Sequence, residues 1–411
     1  MRPSATPPHP KMHAIGLEPD DAARQRSHAL TALIRTEIEE APSSAIPFER
    51  FMELALYAPE LGYYQSESPK FGERGDFVTA PEILPFFSRC LARQAGQILL
   101  ELGRGDILEV GAGSGVMAAT LMQELHERGT LPERYLILEK STALRRLQQN
   151  TLSARIPELS NRFHWLDGPL TTPSGTGFRG VILANELLDA MPACRFLMAG
   201  NAVREEWVGW TGERFVRCTA LARPMVERAV RHVERALGQP LPHGYSSEVH
   251  LAQRVWVEQA AGRIEAGLLL LLDYGYPRAE YYHPQRHTGT LTCHYRHHLH
   301  DDPFLLPGLQ DMSVHVDFSA IAEAAMAAGG RETGIELAGF TTQRDFLFST
   351  GLLEMCAGID PLSHEYLEIA QGIKTLTLPG EMGDMVKVMG LTRGIHGPLV
   401  GFGGRDLRGR L

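Results

Sequence analysis

Ile107-Leu-Glu-Val-Gly-Ala-Gly-Ser-Gly115 decides how this chain is read. A short apolar strand carries one acid, Glu109, and runs into the alternating glycines Gly111, Gly113 and Gly115. Glycine lets the backbone turn sharply and approach a ligand with no Cβ in the way. Val116 to Leu125 then follows a helical pattern. Strand, tight turn and helix in that order predict a nucleotide-type cofactor at the turn, with an ordinary tight turn as the alternative for the glycines taken alone.

Spacing narrows the ligand. A dinucleotide fingerprint has the form G-x-G-x-x-G and leaves room for a pyrophosphate at the helix N-terminus. The loop here is G-x-G-x-G, which suits a ligand without phosphates. S-adenosyl-L-methionine is the candidate cofactor: Glu109 can face its positively charged amino acid moiety. A second strand, Tyr135-Leu-Ile-Leu-Glu139, ends in an acid 28 residues after Gly111, and Glu139 can accept both ribose hydroxyls.

At 411 residues with 44% hydrophobic and 22% charged content, the chain can bury a full globular core. A net charge of -9 gives no general attraction for nucleic acid or anionic lipid, so no nucleic-acid partner is expected. The most apolar run, Leu268 to Leu272, reads as a buried strand and falls far short of the roughly 20 residues that cross a bilayer; no membrane insertion is expected. Five scattered cysteines argue against a disulfide framework and point to a reducing, cytoplasmic compartment. Cys293-His-Tyr-Arg-His-His-Leu-His300 lacks the paired C-x-x-C spacing of a structural zinc site, so no metal is expected.

Strand and helix alternate from 107 to 184, which predicts a mostly parallel α/β sheet of Rossmann-like form with helices on both faces. Around it the chain divides as follows. Residues 1–25 read as a disordered extension without a signal core. Residues 26–104 read as an N-terminal helical and loop segment, and 105–192 as the first part of the cofactor-binding core. Residues 193–262 form an inserted α+β subdomain expected over the carboxyl ends of the strands, where ligands bind in open α/β sheets. Its Trp207, Trp210 and Phe215 suit either partner recognition or an internal core. Residues 263–395 complete the sheet, interrupted by a polar, His-rich excursion at 274–317, and 396–411 read as a tail. A helix at 318–328 is capped by Asp317, a strand spans 334–338, and a helix spans 345–357.

With these motifs laid out, the chain resembles the MidA-like family of class I S-adenosylmethionine-dependent methyltransferases, which includes the mitochondrial arginine methyltransferase needed for respiratory complex I assembly. The resemblance covers roughly residues 40–395. Besides the glycine loop it rests on Phe48-Glu-Arg-Phe-Met, Gly75-Asp-Phe-Val-Thr-Ala-Pro-Glu-Ile83, Asn185-Glu-Leu-Leu-Asp-Ala-Met-Pro192, Leu272-Asp-Tyr-Gly275 and His315-Val-Asp-Phe318. It implies methyl transfer to an arginine of a protein partner, with a respiratory-chain subunit as the client. The chain departs from the family pattern at Leu84 and Ser88, where a small polar residue and a glycine are expected.

Candidate acceptor-side residues follow the strand at 180–184. Asn185, Glu186 and Asp189 stand at the sheet edge, and carboxylates there can hold a guanidinium bidentately. The competing reading is that Glu186 and Asp189 cap a helical turn. Gly75, Asp76, Phe77, Thr79 and Glu82 are expected in a loop folded over the cofactor or the acceptor. Asp167, after Trp165-Leu166, occupies the place where methyltransferases of this fold commonly bind the adenine amino group. Asp273 and Tyr274 are expected to line the far wall. His315 suits a proton acceptor with Asp317 behind it, although Asp317 already makes sense as a helix cap. A methyl transfer to a small molecule or another side chain remains open, as does an assembly factor that retains the cofactor with little turnover.

Overall fold

The computed structural model describes residues 18–66, 70, 78–168, 177–328, 334–357, 359–360 and 362–411. The chain forms two compact units, each drawn from separate stretches of sequence.

The larger unit takes residues 78–189, 253–281 and 315–411. Its sheet is built from β1 (Asp106–Val110), β2 (Tyr135–Leu138), β3 (Phe163–Leu166), β4 (Phe178–Asn185), β5 (Ile264–Tyr276), β6 (Glu336–Thr342) and β7 (Val386–Arg393). The strand order is β6-β7-β5-β4-β1-β2-β3, and Val316–Asp317 adds a short parallel bridge beside the end of β5. Pairings from β3 across to β5 are parallel, while β7 runs antiparallel to both β5 and β6. Central strands of such a sheet are covered on both faces and read as unbroken apolar runs. Leu268 to Leu272 are accordingly all buried, each worth about 1.5–3 kcal/mol relative to exposure. Helices α1 (Pro85–Leu102), α2 (Val116–Glu127), α3 (Thr142–Arg155) and α4 (Phe318–Ala328) accompany this sheet.

The smaller unit takes the described residues of 1–77 together with 190–252 and 282–314. Its five-stranded sheet joins Ala45–Pro47, Ala202–Trp210, Cys194–Ala199, Ser246–Val249 and Phe215–Leu221. Phe215 packs edge-on to Phe51 at 5.3 Å and to Trp210 at 5.0 Å. These two insertion aromatics thus belong to an internal core shared with the helix Phe48–Tyr57.

Several boundaries differ from the sequence expectation. The helical segment expected from residue 26 starts at Asp21, because Asp20 caps it by accepting from Ala23 N, so the expected extension over 1–25 is already helical from Asp21. At the end of the inserted subdomain, the strand Ser246–Val249 precedes a helix at Leu251–Arg263, which runs one residue past the expected end of the insertion at 262. The helix expected at 345–357 is two pieces, Gln343–Ser349 and Leu352–Cys356, broken at Gly351 with φ 90°. The segment read as a tail is packed: Leu399 and Leu407 are buried, and Leu407 N donates to Phe340 O. The His-rich run folds into the hairpin Thr292–Tyr295 and His298–His300.

Candidate functional site

Every residue of β1 is buried, and Gly111 N extends its ladder by donating to Leu138 O at 3.0 Å. Gly111, Gly113 and Gly115 then take φ of 73°, 53° and 84°. A Cβ would be strained at each, and at Gly115 it would also come within 3.1 Å of Gln148 Cα on α3. The loop is fastened from outside the sheet as well. Ser114 Oγ donates to Glu82, which lies in the short helix Ala80–Ile83 rather than in a loop.

Two acids flank this turn. Glu109 is 1% exposed and accepts from Tyr135 Oη at 2.7 Å. Burial pushes its carboxyl up to about 7, with the Tyr135 hydrogen bond opposing and the nearby Glu139 charge adding to the rise. The structure therefore sets Glu109 beneath the loop, closed off by Tyr135. Glu139 lies just past the end of β2, where Oε1 accepts from Ser141 N at 2.9 Å and Oε2 from Gln148 Nε2 at 3.1 Å. Burial raises this carboxyl too, and those two donors oppose the rise.

Gln148 carries no sequence signal, lying inside an ordinary polar run of α3, yet it joins three parts of the site. Its Nε2 also donates to Gly113 O at 3.1 Å, and its Oε1 accepts from Trp165 Nε1 at 2.9 Å. Arg145, one turn earlier, donates to the carbonyls of Glu139 and Leu166 and pairs with Asp167 at 2.6 Å. The Asp167 side chain is 91% exposed.

At the end of β4 the chain makes no helix; Glu186 to Met191 form an irregular turn, so there is no helical turn here for Glu186 and Asp189 to cap. The physical reason is Asp273, 1% exposed at the end of β5. Its Oδ2 accepts from Leu187 N at 3.1 Å, Leu188 N at 2.8 Å and Asp189 N at 3.4 Å, gathering the amides around one carboxylate. Asp273 thus organises this turn, where the sequence suggested only a wall. Burial raises its carboxyl to about 8, and the neighbouring Glu186 charge adds to the rise.

Glu186 itself has φ 48°, a conformation non-glycine residues rarely hold outside strained or functional positions. Its Oε1 accepts from Asn185 Nδ2 at 3.2 Å and Ala80 N at 3.4 Å. Asn185 Oδ1 is buried and has no hydrogen-bond partner among the described residues. Thr79, immediately before that Ala80, is half-buried, while Gly75, Asp76 and Phe77 lie outside the described residues. Tyr274 sits near this acidic group: burial raises its phenol well above the ordinary range, and the charges of Glu186, Asp189 and Asp273 raise it further.

His315 stacks on Tyr274 with ring centroids 6.3 Å apart and tilts against Tyr276 at 5.3 Å. Asp317 does not serve it. That carboxylate accepts from Ser319 N and Ala320 N at the start of α4 and pairs with Arg278 at 3.3 Å, so the cap reading holds and the relay reading fails.

The residues present fit S-adenosyl-L-methionine on two counts. Asn185 Oδ1 is a buried acceptor that wants a donor such as an ammonium, and the two Glu139 oxygens, with about four lone-pair sites, retain accepting capacity beside the donors Ser141 N, Lys140 N and Gln148 Nε2. Comparison with known proteins decides the matter. Residues 90–336 match the S-adenosyl-L-methionine-dependent methyltransferase family. A Burkholderia thailandensis protein bound to S-adenosyl-homocysteine is 39% identical, with a TM-score of 0.88 over 96% of this chain and 99% of that one. The chain belongs to the MidA-like methyltransferase family.

As a member of that family it is an S-adenosyl-L-methionine-dependent enzyme. Its relatives include the Drosophila melanogaster "Protein arginine methyltransferase NDUFAF7 homolog, mitochondrial", 27% identical over 96% of this chain and 93% of the relative. The zebrafish (Danio rerio) "Protein arginine methyltransferase NDUFAF7, mitochondrial" is 28% identical over 75% of this chain and 73% of the relative. Both family members carry a mitochondrial designation, which overturns the cytoplasmic placement inferred from cysteine usage. Scattered free thiols are equally at home in other reducing compartments, so they could not choose among them. No helix among the described residues is long and apolar enough to cross a membrane.

Proposed function

We propose that this methyltransferase modifies an arginine of a protein partner, and that Glu186 and Asp189 hold the acceptor. The observation that carries the reading is Glu186: a carboxylate kept at a strand end in a strained backbone conformation, with Asp189 and the buried Asp273 beside it. The Glu186 and Asp189 carboxylates suit a planar, delocalised cation, which two carboxylates can grip by charge-assisted hydrogen bonds. The designations of the relatives as protein arginine methyltransferases support the same acceptor. A respiratory-chain subunit is the client that the family resemblance suggests.

S-adenosyl-L-methionine supplies, when bound, an electrophilic methyl group and a positive charge. Gly111, Gly113 and Gly115 would bring backbone against it, Glu139 would take its ribose, Asn185 Oδ1 would accept from its ammonium, and Asp167 would meet its adenine. Gly75, Asp76, Phe77 and Thr79 belong to the same proposed set from sequence. On the acceptor side, Glu186 and Asp189 draw the guanidinium charge away from the nitrogen to be methylated and fix its orientation. His315, stacked on Tyr274, is the group assigned to take up the proton released from that nitrogen.

Glu186→Gln keeps size and backbone and removes the charge. Labelled methyl transfer to an arginine-containing peptide, at saturating cofactor, should fall by about tenfold to a thousandfold. Near-normal turnover would return Glu186 to a structural part, and equal labelling of a peptide with lysine for arginine would overturn the acceptor class.

A further inference from the structure

We infer that Gln148 is a positioning residue for the cofactor, one that locks the glycine loop, the ribose-facing acid and the end of β3 into a single preformed cradle. The inference rests on the assignment of Glu139 to the ribose. Gln148 is fully buried. Its amide has one oxygen and two N–H donors, and each finds a partner: Oε1 accepts from Trp165 Nε1 at 2.9 Å, and Nε2 donates to Glu139 Oε2 and to Gly113 O, both at 3.1 Å.

The orientation of the amide is therefore determined chemically. An indole N–H can only donate, so it demands the oxygen on its side; a carboxylate and a carbonyl can only accept, so they demand the NH2 on theirs. Turning the amide over would break all three contacts at once. Trp165 thus acts as the reference that points two donors at Gly113 and Glu139. The backbone of α3 is equally constrained, since Gln148 Cα lies where a side chain at Gly115 would begin, 3.1 Å from its ideal Cβ.

Glu139 needs this help. It is buried and its carboxyl is raised; besides Gln148, the donors that oppose the rise are the backbone N–H groups of Ser141 and Lys140. Without Gln148 the carboxylate would lose its one side-chain donor among the described residues and the contact at its second oxygen. A ribose hydroxyl pair is recognised by two acceptor sites at fixed separation, so a rotating or protonated Glu139 would bind it poorly. Gly113 O, held by the same NH2 group, keeps the loop in register with that acid.

The test uses the full-length protein and S-adenosylhomocysteine as probe, with affinity read by calorimetry. Gln148→Met preserves volume without polarity, and Gln148→Glu sets an acid against Glu139 and the Gly113 carbonyl. Expected losses are about tenfold for Gln148→Met and beyond about a hundredfold for Gln148→Glu, the second recovering partly at lower pH as the new carboxyl protonates. In a Glu139→Ala background the Gln148→Met loss should shrink to about twofold, because the two act through each other. A purely packing role for Gln148 predicts that Gln148→Met binds like the parent, or that its loss is the same with and without Glu139; either result overturns the inference. Glu139→Ala that binds as tightly as the parent overturns the ribose assignment instead. Thermal unfolding of each variant confirms a folded protein, and a folded Gln148→Leu serves in place of any variant that does not fold.

Discussion

The smaller unit and the strand ends beside the glycine loop of the larger unit bury charge in opposite ways. In the smaller unit Arg195, only 4% exposed, meets the carboxylates of Glu248 and Glu206 and the carbonyl of Thr288, while Arg223 binds Glu205 and Glu49. At the strand ends of the larger unit, Glu109, Glu139 and Asp273 are buried as deeply but take their hydrogen bonds from neutral donors: a phenol, an amide side chain and backbone N–H groups. A paired buried charge is compensated where it stands and serves register and packing. An unpaired buried carboxylate keeps its desolvation cost, visible in the raised carboxyls of Glu109, Glu139 and Asp273. Groups of that second kind gather where a ligand completes the site.

Breaking a pair in the smaller unit gives the largest expected effect. Arg195→Met keeps an unbranched apolar side chain but removes the guanidinium that lies over Phe48 and strands Glu248, which is fully buried, without its cation. Stability to urea should drop by about 3–5 kcal/mol. A loss under about 1 kcal/mol would mean that the Thr290 N–H and hydroxyl, which also donate to Glu248, suffice, and the contrast between the units would dissolve.

Glu109 should respond in the other direction. Its carboxyl is raised from 4.5 to about 7, so between those values the folded state holds a proton the unfolded state has lost. Stability then falls as pH rises through that window and levels off above it. Glu109→Gln keeps an acceptor for Tyr135 Oη and removes the charge. The variant should be more stable than the parent at pH 8 by on the order of 3 kcal/mol and about equal to it at pH 4.5. Parallel stability curves for the two proteins across that range would show that Glu109 carries no such penalty.

The same contrast explains how much was legible. The glycine loop and the elements that alternate from 107 to 184 are local patterns, each readable within about ten residues, and the sheet bears them out. Local patterns could not show that three separated stretches build the smaller unit, because its strand partners are far apart in sequence: Ala45 pairs with Gly209, and Cys194 with Val249. Nor could they show that Asp273 would gather the amides of 187–189, 84 to 86 residues away, and thereby replace a helix by a strained turn. Gln148 was invisible for the same reason, being polar among polar neighbours until α3 is laid against the loop. The departure at Leu84 also acquires a cause only in three dimensions. Leu84 packs against Gly372, whose missing Cβ would otherwise stand 2.5 Å from Leu84 Cγ.

Asp167 gives the smallest expected effect and sharpens the contrast at its margin, since among the acids proposed to meet the cofactor it is both exposed and ion-paired. An exposed pair contributes little, so Asp167→Ala should change stability by no more than about 1 kcal/mol. If its carboxylate also meets the adenine amino group, S-adenosylhomocysteine affinity should fall by about threefold to tenfold, the worth of one hydrogen bond. Releasing Arg145 could mimic that loss, because Arg145 also holds the carbonyls of Glu139 and Leu166. Asp167→Asn separates the two routes. It keeps an acceptor oxygen for the adenine while weakening the pair with Arg145, so a direct contact predicts near-parent affinity for Asn and a loss for Ala. Equal losses in both variants would assign the effect to Arg145, and unchanged affinity in both would reduce Asp167 to a surface ion pair.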